Sequence, residues 1–192
     1  VLAWSAFAAL TAAAVIHSSL PILRAEHPMH AVLASQRWLL IPHVLAGATA
    51  LVLGPLQFSR RIRTGSLARH RWIGTAYVCA CLVAAPLALL MALDYPAFFP
   101  YSVAVNSTLW IVTTAVAWVA ARRRRIDVHR RWMARSYAMA TTFVLSRVPL
   151  PIPGYDDLGL EAASYLLLVI TVSALLVAEL LTDWPGTGPV RP

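Results

Sequence analysis

Histidine is the residue type here best suited to hold a cofactor, and the six histidines sort by depth. His43 lies fifteen residues before Phe58, about 22 Å of helix rise, and His70 lies beyond Phe58. If that stretch is one membrane span, His43 and His70 stand at opposite faces and cannot share a ligand. Two pairs remain: His17 with His43 at the outer face, and His70 with His129 at the inner face. Two stacked imidazole pairs across a helical bundle are what a transmembrane di-haem electron carrier requires, each iron taking one nitrogen from each of two facing helices.

A flat macrocycle needs small residues beside its ligands, and its propionates need cations. His43, Gly47, Ala50 and Gly54 fall on one helical stripe. The same spacing recurs in His70, Gly74, Tyr77 and Cys81, and less well in His129, Met133, Ser136 and Ala140. Arg71, Arg130, Arg131 and Arg135 stand near the inner pair, and Arg147 stands near the outer end of a span. An arginine within a span is costly unless paired or facing a cavity, so Arg135 and Arg147 are candidate anion or propionate partners.

The same residues have a plainer reading. Small residues at this spacing pack membrane helices against each other, and histidine beside tryptophan and arginine anchors a helix end at the interface. The "HPMH" of His27 and His30 is too short to identify a metal and reads as a solvated loop. Cys79 and Cys81 are two apart on one helix, point to nearly opposite sides, and cannot bridge or chelate together.

The elements that position these residues follow from composition. The chain has 192 residues, 59% of them hydrophobic and 12% charged, far below the charge content of soluble domains. Apolar runs near 20 residues long, enough to cross a bilayer, recur along it. The expectation is an all-α integral membrane protein forming one transmembrane domain over residues 1–192. Its six helices are expected at about 2–20, 38–58, 72–93, 103–121, 131–148 and 160–181, the second to fifth forming a four-helix core. No cleavable signal peptide is read, and the opening Val1 in place of Met leaves room for a preceding piece.

The net charge is +8, but eleven of the sixteen basic residues fall in Arg60 to Arg71 and Arg122 to Arg131. Clusters beside spans mark cytoplasmic loops, so nucleic acid is not an expected partner. The same rule puts both termini in the cytoplasm and Asp94, Asp156, Asp157 and Glu161 outside. Glu179, near the inner end of the sixth span, reads as a lone interfacial residue. "HRWIGTAY" and "HRRWMARSY" place Trp72 to Tyr77 and Trp132 to Tyr137 sixty residues apart, a hairpin used twice. Aligning those tryptophans sets His70 opposite Arg130, one residue off His129.

Other chemistry is not signalled. There is no GxSxG, HExxH or Walker loop and no carboxylate pair within a span, and no broken helix of the transporter kind.

The segments "HVLAGATALVLGPLQFSRRIR", "RHRWIGTAYV" and "VHRRWMARSYAMATTFVLSRVPLP" resemble the bacterial membrane family of domain of unknown function 2306, over roughly Pro42 to Leu150. That resemblance implies membership, topology and a multi-pass place in the bacterial inner membrane, and no activity. More loosely, histidines at two depths in a helical core resemble the di-haem cytochromes b of six-helix reductases. Those draw all four ligands from the core helices, whereas here the fourth span has no histidine and His17 would come from the first. The expected function is thus a b-type haem protein, with one or two haems, moving electrons across or into the membrane. A quinone or a partner membrane subunit would serve as donor or acceptor. The alternative is a non-enzymatic membrane subunit whose histidines and arginines are anchors or lipid contacts.

Overall fold

Two serines decide how the first arginine-rich segment folds. The Ser59 hydroxyl accepts the backbone N–H of Ile62 at 3.4 Å, and the Ser66 hydroxyl accepts that of Arg69 at 3.2 Å. Each satisfies a donor that a helix start would otherwise leave open. The expected loop is therefore a short helix followed directly by the first turn of the next span.

The computed structural model describes residues 35–96, 98–146 and 159–183, and every regular element in them is helical. In chain order these are α1 (Arg37–Phe58), α2 (Arg60–Gly65), α3 (Leu67–Ala92), α4 (Phe99–Arg122), α5 (Ile126–Leu145) and α6 (Gly159–Asp183). The expected first span, with His17, and also His27, His30 and Arg147 lie outside the described residues.

Three boundaries differ from expectation. α3 begins at Leu67 rather than near 72 because Ser66 caps it. α4 begins at Phe99 rather than near 103, with Pro100 in the first turn, where its missing N–H costs nothing. α5 runs from Ile126 to Leu145 rather than 131 to 148.

Among the described residues, α1, α3, α4 and α6 are long and apolar enough to cross a bilayer. α5 is the amphipathic member: Asp127, Arg130, Arg131 and Arg135 occupy its first half. It packs along α4 and α6 and touches α1, while α1 packs along α3 and α3 against α4. Large apolar side chains such as Leu45, Val52, Val169, Leu176 and Leu180 point away from the protein, as lipid-facing positions must.

The interior is made of small and hydroxylated residues. Ala50, Ala84, Ala85 and Ala117 are fully buried, as are Ser102, Thr114, Ser136 and Thr171. Lipid tails are as apolar as leucine, so close approach and interhelical hydrogen bonds hold such bundles together. One chain of bonds joins three helices: Tyr77 Oη to Ser136 Oγ at 2.9 Å, and Ser136 Oγ to Thr114 Oγ1 at 2.7 Å. Nearer the N-terminal end of α4, Asn106 Nδ2 donates to Thr142 Oγ1 at 3.1 Å and to Thr171 Oγ1 at 3.0 Å. This ties α4 to α5 and α6.

Candidate functional site at the inner helix mouths

The "GPLQF" end of α1 ties together the half of the bundle next to the arginine-rich α2. Pro55 has no N–H, so the Leu51 carbonyl four residues earlier loses its helical partner. Tyr137 of α5 supplies one, its hydroxyl donating to Leu51 O at 3.4 Å. The Tyr137 ring reaches that carbonyl by lying on Gly54, where a Cβ would stand 2.2 Å from ring carbons Cδ2 and Cε2. Phe58, one turn further along α1, also packs against the ring at a centroid separation of 5.9 Å. Gln57 crosses to α3 instead, where its Oε1 would meet a Cβ on Gly74 at 3.0 Å. The three sequence motifs thus converge: Gly54 and Gln57 come from the first, Gly74 from the second and Tyr137 from the third.

His70 and His129 stand beside this convergence. Each is the fourth residue after its N-cap, the His70 N–H donating to Ser66 O at 3.1 Å and the His129 N–H to Arg125 O at 2.9 Å. Counted from the helix starts the two histidines are equivalent, and the one-residue slip in the sequence belongs to the tryptophans. His70 is partly buried, and His129 and Arg63 of α2 are the charged groups near it.

Their hydrogen bonding is unequal. His129 Nδ1 lies 2.9 Å from the Ala117 carbonyl of α4; a carbonyl only accepts, so Nδ1 carries the proton and Nε2 the lone pair. A ring fixed in this way, by a backbone carbonyl on its other nitrogen, is the usual state of a metal-ligating histidine. His70 Nδ1 is buried and has no hydrogen-bond partner among the described residues, and the same holds for Gln57 Nε2. Buried polar atoms without partners are uncommon, and here two of them lie at one helix mouth.

His43 repeats the His129 arrangement at the other end. Its Nδ1 donates to the Ala84 carbonyl of α3 at 2.9 Å. Ala84 is fourteen residues along α3 from His70, about 21 Å of rise, so the expected separation of His43 from the inner pair holds. Its expected partner, His17, lies outside the described residues.

The arginines divide. Arg135 donates through Nε to Glu179 Oε2 of α6 at 2.8 Å and through Nη2 to the same oxygen. Its guanidinium also lies over the Trp132 ring at 4.8 Å. Its anion is therefore a protein carboxylate, and Glu179 is not a lone interfacial residue. Arg71 and Arg131 are exposed near the starts of α3 and α5. Gly47 faces open space, whereas Gly54 and Gly74 are occupied by Tyr137 and Gln57. A flat macrocycle has no room against those two glycines in this arrangement.

Sequence reasoning passed over Gln57, Arg63 and Tyr137. The available signals were an amide inside an apolar span, and a tyrosine on the helix facing a proline-freed carbonyl. Among the described residues no three histidine, cysteine or acidic side chains gather around one point. Cys79 is exposed and Cys81 buried, on opposite sides of α3 as their spacing requires.

The Arg135–Glu179 pair gives a direct prediction. Arg135→Gln or Glu179→Gln alone should destabilise the protein in detergent by on the order of 1–3 kcal/mol, since each strands one charge. The swap Arg135→Glu/Glu179→Arg should recover part of the loss, the Trp132 contact being forfeited. A thermal melt of all three variants reads this, and a swap no better than the singles would mean the pair is incidental.

Fold and site together define an α-helical membrane protein with buried polar side chains gathered at one helix mouth. The chain belongs to the DUF2306 family of predicted membrane proteins, whose family model matches residues 40–182. Curated proteins and solved structures gave no match.

Proposed function

We propose that this protein is a membrane redox carrier that binds a b-type haem at the inner mouth through His70 and His129. The observation that carries the reading is two imidazoles on different helices, each the fourth residue after its N-cap, with His129 among the charged groups near His70. One has its tautomer fixed by the Ala117 carbonyl; the other has a buried nitrogen without a partner. As a donor set two imidazoles suit a haem iron, while Tyr137 and Gln57 fill the seats at Gly54 and Gly74, so those glycines are no part of the proposed haem site.

A bound haem would supply one-electron exchange between ferric and ferrous iron. The chain's own residues do the rest. Ala117 holds the His129 ring in orientation, and the His129 Nε2 lone pair is the atom offered to iron. Arg63, Arg71 and Arg131 make the inner mouth cationic, which favours propionates. Gln57 offers a buried amide donor to a carboxylate or to a quinone carbonyl, so a quinone is the proposed exchange partner, with a partner membrane subunit as the other. His43, with the same carbonyl-fixed tautomer, is the proposed ligand of an outer haem together with His17.

The proposed frame is a six-span protein of the bacterial inner membrane, with a core built from the second to fifth spans. The arginine-rich segments and both termini would face the cytoplasm. A specific observation also favours the second reading, a non-enzymatic membrane subunit. Gly54 and Gly74 are filled by Tyr137 and Gln57, so the shared motifs act at least as packing devices. Haem extracted from protein expressed with excess haem precursor and counted per chain separates the readings. One per chain supports the inner centre, two add the His43 centre, and none leaves the packing reading.

A further inference from the structure

Away from the histidines, α4 and α5 form a groove of a different character. Ala115, Val116, Val119, Ala120 and Val128 line its apolar length, and Arg123 and Arg125 stand at its inner end. The turn that joins the helices sets this up. The N–H groups of Arg123, Arg124 and Arg125 donate to the carbonyls of Val119, Ala121 and Ala120 at 2.9, 3.1 and 2.9 Å. Arg124 takes the left-handed conformation, with φ of 58°. A side chain is strained there and glycine would fit more easily, yet the position carries an arginine. The turn brings Arg123 and Arg125 to one groove, while the guanidinium of Arg122 lies over Trp118 at 5.8 Å. Neither Arg123 nor Arg125 has an acidic partner among the described residues.

We infer that this groove binds an anionic phospholipid. One acyl chain lies along Val116, Val119 and Val128, and the headgroup phosphate sits between Arg123 and Arg125. The argument is charge complementarity at a fixed depth: an apolar trough exposed to lipid ends in two cations at the face where anionic headgroups lie. A second groove in the same protein supplies the contrast. Pro42, Leu45, Ala46, Thr49, Ala76, Cys79, Ala80 and Val83 line it between α1 and α3, with no charged residue, so nothing there selects a headgroup.

The test is native mass spectrometry of the full chain, delipidated in detergent and titrated with phosphatidylglycerol or phosphatidylcholine of identical acyl chains. Two well-placed arginines should favour phosphatidylglycerol by roughly tenfold or more. Arg123→Gln/Arg125→Gln should lose that preference, and Arg123→Lys/Arg125→Lys should keep most of it, which controls for folding. Arg60→Gln/Arg61→Gln, which removes the same charge from α2, should keep it in full. Equal retention of both lipids by the unaltered chain would overturn the inference. So would a preference that survives the first variant, one lost equally in the α2 control, or one abolished by inorganic phosphate alone.

Discussion

His129→Ala and His70→Ala are each expected to remove one and the same haem centre, with nearly complete loss of its absorbance. The two side chains come from different helices, each at the fourth position after its N-cap, and a six-coordinate iron held between them needs both. His129→Ala also releases the Ala117 carbonyl, and misfolding could then be mistaken for ligand loss. His129→Gln separates the two effects. An amide can still donate to that carbonyl, so the variant should fold and melt near the parent, yet carry no inner haem. His43→Ala should leave the inner centre untouched, since about 21 Å of helix separates the two levels. Haem retained in both His129→Gln and His70→Ala would move the ligands elsewhere.

Gly54→Ala should give the largest purely structural effect. Its Cβ would stand 2.2 Å from two carbons of the Tyr137 ring, a distance that real contacts do not reach. The ring cannot simply yield, because its hydroxyl reaches the Leu51 carbonyl and Phe58 packs on it. Overpacking of this kind costs about 1–3 kcal/mol, and the upper end is expected. The cost should be relieved in a Tyr137→Ala background, where the space is vacant, and the difference between the two backgrounds measures the coupling. Gly74→Ala should be milder, because its added methyl meets only the far end of Gln57, which can turn aside. If Gly54→Ala melts like the parent in chemical denaturation or thermal scans, Tyr137 does not occupy that seat.

The sequence made some of this legible. Apolar run length located α1, α4 and α6 within a few residues, and the fifteen-residue count put His43 and His70 at different levels. The depth count also set His70 and His129 at helix mouths, where each is the fourth residue after its N-cap. Other features were hidden for physical reasons. The serine caps turned an arginine-rich loop into helix, because capping depends on one hydroxyl each and not on composition. A stripe of glycines states that something approaches closely but not what it is, and a tyrosine ring meets that description as well as a porphyrin does. Arg135 was recognised as needing an anion, yet Glu179 lies forty-four residues away on another helix, and only the packing of α5 against α6 joins them. The slip between the two histidine motifs dissolved once the helix starts at Leu67 and Ile126 were known. N-caps, and not tryptophans, set their register.

The central claim is that His70 and His129 hold one haem iron between them. The visible spectrum of the purified protein, oxidised and then reduced with dithionite, tests it most directly. The account predicts a Soret band that shifts on reduction and a sharp α band of a low-spin, six-coordinate b haem, both absent from His129→Gln. Featureless spectra in both states, from a folded preparation grown with excess haem precursor, would contradict it.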